Sequence, residues 1–339
     1  MWAAAACICI MGCNKNRSAT PPEHTSFQPK DQARITETTE ALKKALVWAA
    51  PLDVTPARLR HEHGMKGLKH FVEKLQLFRI AAEWPGSGSD NDKKLADAAR
   101  GGLLETLKAI ERDDFHDLAD AGAVRFAQDN MSYLRAAVIA KRYGLNITAY
   151  RAAIAKLLPR LEAGRNSRGP DQRMAIAWQL QRLDLPTAET PEQVHPSSRI
   201  GTRIDPRYWQ KHPRHTYDLT HEIFAMTHRG ARPFPFRDDK ERAYASLMVR
   251  KLLDAHMKMG NHDIVAELLL NRAQLREPFD DQVATARRFL LAAQNPDGSF
   301  GRYDESALRK RKKNPRYDAR IGGYLHTTMM CIWALMATS

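Results

Sequence analysis

The side chains best suited to chemistry lie in one segment, Tyr217-Asp218-Leu219-Thr220-His221-Glu222-Ile223-Phe224-Ala225-Met226-Thr227-His228. At helical spacing Asp218, His221, Glu222 and His228 share one face, while Leu219, Ile223 and Met226 share another. With the remote His326, Asp218 and His221 form a candidate metal set, because imidazole and carboxylate are zinc ligands. Zinc is therefore the candidate cofactor. The same stripe offers a proton-transfer set, Asp218 and His221 with Tyr217 or Tyr324, in which His221 is the base. The spacing of a two-histidine zinc protease is absent, since the fourth position after His221 is Ala225. A solvated helix face carrying a capping Asp competes with both readings, and the residues alone leave the three open.

Three other groupings call for the same weighing. Asp263 and Glu267 lie one helical turn apart, a spacing at which paired carboxylates do acid/base work. Asp263 falls in a first turn, however, where a carboxylate complements the helix dipole, and that structural role is the expected one. His61 and His63 are alternate residues and face different ways on a helix, so they and the nearby His70 are expected on the surface. The run Arg309, Lys310, Arg311, Lys312, Lys313, followed by Arg316 and flanked by Tyr303 and Tyr317, is a candidate anion-binding patch. No Gly-rich phosphate loop, Ser nucleophile elbow or Cys-x-x-Cys pair occurs.

These residues have to be positioned by helices. From Ile35 onward the apolar residues recur at helical rather than alternating spacing, and no stretch has the composition of a strand. The spacing predicts helices over 36–50, 55–84, 92–112, 126–143, 147–162, 171–183, 216–227, 240–259, 263–275, 280–293 and 326–337. Asn146 and Asp171 stand where N-caps belong, and Gly144 and Gly230 stand where helices end. Residues 84–90 and 186–206 read as linkers, the second either dividing two domains or forming a loop inside one. One domain over 35–339 is the favoured organisation, because 43% of the 339 residues are hydrophobic and can bury a large core.

The net charge of +14 favours acidic partners, whether polyanionic glycans, lipid head groups or nucleic acid. Three of the four cysteines, Cys7, Cys9 and Cys13, precede residue 14, which excludes a disulfide framework in the body. Residues 1–12 are uncharged and apolar, long enough for a signal-peptide core and too short to span a bilayer. They end in Ile10-Met11-Gly12-Cys13, which resembles the bacterial lipobox. That resemblance implies a signal peptide over 1–12, a lipidated Cys13, and a flexible tether over 13–34 that moors the protein to the membrane in the cell envelope. Nucleic acid is disfavoured as a partner there, and an anionic glycan or lipid head group is preferred.

One further pattern bears on the fold. Phe289, Leu290, Gln294, Gly298 and Phe300 occupy the places of the QW repeat of squalene and terpene cyclases, which this segment resembles. In such a turn the Gln amide is expected to bond free carbonyls at a helix end, the glycine to allow a positive φ, and the aromatic to pack back. Gly323-Tyr324-Leu325-His326-Thr327-Thr328 is similar to the zinc-histidine segment of protein prenyltransferase beta subunits. The Asp and Cys that complete that metal have no counterpart here, because Cys331 follows His326 instead of preceding it. Both resemblances imply an all-α protein of the α/α-toroid type, a ring of helical hairpins. The acidic motif of cyclisation is missing, since Asp238-Asp239 is flanked by Arg237 and Lys240. The expectation is a cell-envelope lipoprotein whose His/Asp-lined cavity binds or processes an anionic ligand such as a polysaccharide. The alternative is a non-enzymatic binding or scaffold protein with a filled core.

Overall fold

The computed structural model describes residues 31–61, 67–108, 115–301 and 318–339. The leader 1–12, Cys13 and the basic run Arg309, Lys310, Arg311, Lys312, Lys313 and Arg316 lie outside the described residues. The protein is all-α, and among the described residues no strand occurs beyond one isolated bridge between Gln294 and Phe300. In chain order the helices are α1 (Gln32–Ala49), α2 (Pro56–His61), α3 (Gly67–Ala82), α4 (Asp90–Lys108), α5 (Ala123–Arg142), α6 (Thr148–Ala163) and α7 (Pro170–Arg182). Then come α8 (Pro191–Val194), α9 (Arg207–Gln210), α10 (Pro213–Met226), α11 (Asp239–Lys258), α12 (His262–Gln274), α13 (Asp281–Leu291) and α14 (His326–Ala337).

Most limits fall within a few residues of those predicted, because side-chain caps mark them. Asp31 accepts from Ala33 and Arg34 at the start of α1, so helix begins inside the stretch expected to be tether. Thr190 and Gln193 form a reciprocal capping box on α8. Asp171, by contrast, is no cap: Gly169 holds that position, Pro170 follows, and Asp171 lies in the first turn of α7.

Two expectations fail on chain path. Residues 55–84 are not one helix, because Gly67 at the start of α3 backs onto Pro56 at the start of α2. A Cβ on Gly67 would stand 2.4 Å from the Pro56 carbonyl oxygen. Eleven residues of continuous helix would hold those positions roughly 16 Å apart. The segment 186–206 is not a loose linker either; it carries α8 and a 3-10 turn, His195–Ser197, and buries Val194, His195, Ser198 and Ile200. His195 pairs there with the buried Glu241 of α11.

The turn after α13 does what its residues predicted, on different partners. Gly298 has φ +99°, and its missing Cβ leaves room for the Lys44 carbonyl. The Gln294 amide donates to Ala41 of α1 (2.8 Å) and to the Gly298 carbonyl (3.1 Å), and the amide of the buried Phe300 donates to Thr328 of α14 (2.9 Å). The turn therefore pins α13 to α1 and α14, rather than satisfying the end of its own helix. A single cluster of buried apolar side chains runs from Ile35 to Leu335. Around it α3 packs on α5, α5 on α7, α7 on α10, α10 on α12, α12 on α14, and α14 on α3. Of the other long helices, α1 lies on α14 and α3, α4 on α3, α11 on α12 and α13 on α12, while α6 packs on the 3-10 turn Asp117–Asp120. No described helix is long and apolar enough to cross a membrane.

Candidate functional site

In α12 the segment Ile264–Leu270 is apolar apart from Glu267, whose side chain is 1% exposed. A carboxylate in that position needs partners, since burying an unpaired charge costs several kcal/mol. It finds them on two other helices. Thr220 of α10 donates to Glu267 Oε2, and His326, the first residue of α14, brings Nε2 to 3.4 Å from Glu267 Oε1. His221 of α10 places Nε2 3.9 Å from Glu267 Oε2.

His326 is placed by a π-helical turn, Ile321–Leu325, that leads directly into α14. Its Nε2 also lies 3.6 Å from Asp263 Oδ1, and its Nδ1 lies 3.1 Å from Oε1 of the buried Glu73 on α3. Asp263 is available because Asn261 already caps α12 by accepting from Ile264. Its carboxylate instead accepts from Tyr217 (Oδ2, 2.6 Å) and Thr327 (Oδ1, 3.3 Å). His70 Nδ1 approaches the other Glu73 oxygen, Oε2, at 2.8 Å, and Lys69 Nζ approaches Oε1, the oxygen that faces His326, at 3.5 Å. His221 Nδ1 meets Asp171 of α7 at 4.0 Å. Side chains of α3, α7, α10, α12 and α14 thus converge on one group of carboxylates and imidazoles. Asp171 and Asp263 lie in first turns, where the helix dipole favours an ionised carboxylate.

The electrostatics follow from this packing. Burial disfavours the His326 imidazolium, but Asp263, Glu267 and Glu73 outweigh it and push the group up to about 10. Burial also works against ionisation of Glu267, and His221 and His326 overcome it, holding the carboxyl well below its usual range. Glu73 behaves likewise through Lys69, His70 and His326. Burial pushes the Asp171 carboxyl up, against the pull of His221 and with the help of Asp218. Solvent reaches the group, for the side chains of His221 and His326 are 46% and 31% exposed.

Toward the C-terminal ends of the same helices lie cations and aromatic rings. The Arg79 and Arg229 guanidinium groups stand 5.7 and 5.8 Å from the Trp333 ring, and Phe224 stacks on Trp333 at 6.3 Å. Arg229 has φ 58° and follows His228 at φ 51°, two left-handed residues in succession. Burial lowers Arg135 to about 10, with Glu73 opposing and Arg79 assisting. Burial and Arg135 lower Arg229, with Glu267 opposing. Arg79 has an ion pair with Glu83 at 2.6 Å, whereas among the described residues no carboxylate pairs with Arg135 or Arg229.

The structure sorts the sequence candidates unevenly. His221 and His326 meet at one carboxylate, and Tyr217 adjoins both through Asp263. Asp218 does not join them: it faces Arg199 (3.2 Å) and accepts from Tyr208 (3.0 Å). Tyr324 is 4% exposed and belongs to the core, out of reach of a ligand, and Cys331 is a buried thiol. Glu222 is turned to the backbone of Arg199 and Ile200, and His228 packs on Trp178. Asp218 thus stands apart from His221 and His326, while Asp263, Glu267 and His326 each offer a ligand atom, all within 4.8 Å of one another, and could hold a metal ion. His70, expected on the surface, is buried against Glu73. Arg135 carried a signal that went unread, a charge inside an otherwise apolar helical stretch, Leu134 to Ala140.

Fold and site together define an all-helical protein with a histidine–carboxylate centre at the shared ends of its packed helices. The chain belongs to the family described as Domain of unknown function (DUF6895), which matches residues 38–337 and so takes in every residue of that centre. No curated protein and no solved structure matches it.

Proposed function

We propose that this is an α/α-toroid lipoprotein of the cell envelope that binds and turns over an anionic ligand, with polysaccharide as the leading class. The toroid reading is supported by the unbroken series of contacts α3–α5–α7–α10–α12–α14–α3, with the remaining long helices outside it. The anchor reading is supported by Ile10-Met11-Gly12-Cys13, and Cys13 would carry the lipid. The observation that carries the function is the meeting of two solvent-reached histidines from separate helices at the one buried carboxylate, Glu267. A proton taken by His221 is compensated by Glu267 behind it, while Tyr217, hydrogen-bonded to Asp263, is the adjacent hydroxyl. Arg135 and Arg229, lacking carboxylate partners, supply attraction for the ligand's negative charge, and Trp333 supplies an aromatic face for a sugar ring. The reaction class is then that of a polysaccharide lyase or hydrolase, by analogy at the level of fold.

The test is a panel of polyanionic and neutral glycans incubated with the full chain and with His221→Ala. Chain shortening is read by size exclusion and new unsaturated uronate by ultraviolet absorption. Loss of a polyanion-specific activity in the variant, at unchanged melting temperature, supports the reading. Failure to bind any polyanionic glycan at low salt sinks it. A second reading, a non-enzymatic scaffold, is favoured by the completeness with which Thr220, Tyr217 and Thr327 satisfy Glu267 and Asp263. It expects His221→Ala and His326→Ala to lower stability and nothing else.

A further inference from the structure

We infer that Asp263 Oδ1, Glu267 Oε1 and His326 Nε2 form a tetrahedral zinc site, with Glu73 behind the histidine. The inference is separate from the ligand reading, since a metal can bind whether or not a glycan does.

Three features of the geometry support it. The first is spacing. His326 Nε2 stands 3.4 Å from Glu267 Oε1 and 3.6 Å from Asp263 Oδ1, and all three donors lie within 4.8 Å of one another. Ligands about 2.1 Å from a tetrahedral ion stand roughly 3.4 Å apart, whereas about an octahedral ion of similar bond length they stand roughly 3.0 Å apart. The two histidine–carboxylate separations are near the tetrahedral value, and a mixed nitrogen and oxygen set suits zinc better than calcium or magnesium.

The second feature is the shell behind the donors. Each carboxylate presents one oxygen to the centre and has the other held, Asp263 Oδ2 by Tyr217 and Glu267 Oε2 by Thr220, and Thr327 also donates to Asp263 Oδ1 at 3.3 Å. His326 presents Nε2 to the centre and turns Nδ1 to Glu73, the carboxylate–histidine arrangement that fixes a metal-binding ring.

The third is an unmet need. Glu73 is 4% exposed, yet its Oε1 has no hydrogen bond, and neither has His326 Nδ1 opposite it. The two approach to 3.1 Å without the alignment of a bond. Lys69, half exposed, neutralises Glu73 from outside and takes no donor position.

The full chain is dialysed against buffered Zn2+ and its metal content measured by atomic emission; Co2+ is then substituted and its visible ligand-field bands recorded. The expected result is one zinc per chain and the intense bands of tetrahedral cobalt. Asp263→Asn and His326→Ala should retain less than about a tenth of the metal, and Glu73→Gln should weaken affinity about 10- to 100-fold. Asp218→Asn should keep one zinc. A wild-type chain without stoichiometric zinc overturns the inference, as do weak octahedral cobalt bands, or full zinc content in folded His326→Ala. Should a variant fail to fold by circular dichroism, the wild-type stoichiometry and cobalt spectrum still decide.

Discussion

Glu222 and His228 show opposite consequences of burial on one helix and its exit. The Glu222 carboxylate is fully enclosed and accepts from the amides of Arg199 (3.1 Å) and Ile200 (2.9 Å), with the Arg199 guanidinium at 3.2 Å. Burial still dominates and pushes its pKa up to about 7. A raised carboxyl binds its proton more tightly in the folded chain, so this contribution to stability is whole below about pH 4.5 and is lost as pH rises through about 7. Glu222→Gln should remove that loss, roughly 2–3 kcal/mol, as read from urea midpoints at pH 5 and pH 8. If the variant and the wild type lose stability in parallel over that range, the assignment is wrong. His228 is lowered to about 3 by burial and by Arg232 and Arg182. Its contribution is whole above about 6.5 and disappears as pH falls toward about 3, because only the unfolded chain accepts the proton readily. His228→Asn, which tolerates the left-handed backbone, should flatten that acid limb in thermal melts. Both groups stood on the polar stripe legible in the sequence. What the stripe did not disclose was that a polar face on a packed helix meets other protein: Glu222 meets the turn at Arg199 and Ile200 and His228 meets Trp178.

At the scale of elements, two small devices hold the site in place. Asn261 caps α12 by accepting from Ile264 at 3.2 Å and thereby releases Asp263 to face His326. Asn261→Ala should cost about 1 kcal/mol in chemical denaturation. It should also weaken the zinc site, since Asp263 becomes the nearest substitute cap. The turn after α13 is the second device. Gly298 at φ +99° sits against the Lys44 carbonyl, where a Cβ would approach to 2.2 Å. Gly298→Ala should lower stability by about 2–4 kcal/mol, joining the cost of a left-handed residue to that of displacing α1. A melting temperature within a degree of the wild type would show that the turn does not clamp α1. This turn was the most readable motif in the chain, because glycine, amide and aromatic each act through local geometry. Its partners on α1 and α14 were not readable, since they come from sequence far away.

For the whole molecule, the continuous core predicts one cooperative transition in calorimetry, with no separate melting of the first and second halves. Arg287 offers a sharper probe of how the chain's beginning and end are joined. It is 3% exposed and donates to Leu335 (2.6 Å) and Thr338 (2.9 Å) near the C-terminus and to Thr38 of α1 (3.1 Å). Arg287→Met should cost about 2–4 kcal/mol, because three buried acceptors lose their donor, and should speed amide exchange in α1 and α14 first. Uniform exchange in the variant would count against that joint. The sequence by itself determined that the protein is helical, where most helices start and stop, and which residues carry usable chemistry. Those features depend on periodicity, caps and side-chain type within a few residues. Tertiary structure alone decided which candidates meet. His326 and Glu267 are 59 residues apart and Glu73 belongs to a third helix, so their convergence depends on how helices pack. The same packing turned Asp218 toward Arg199 and put Asp263 in the place the sequence had suggested for it, because a side chain's neighbours across a helix interface are set by the fold and not by its position in the chain.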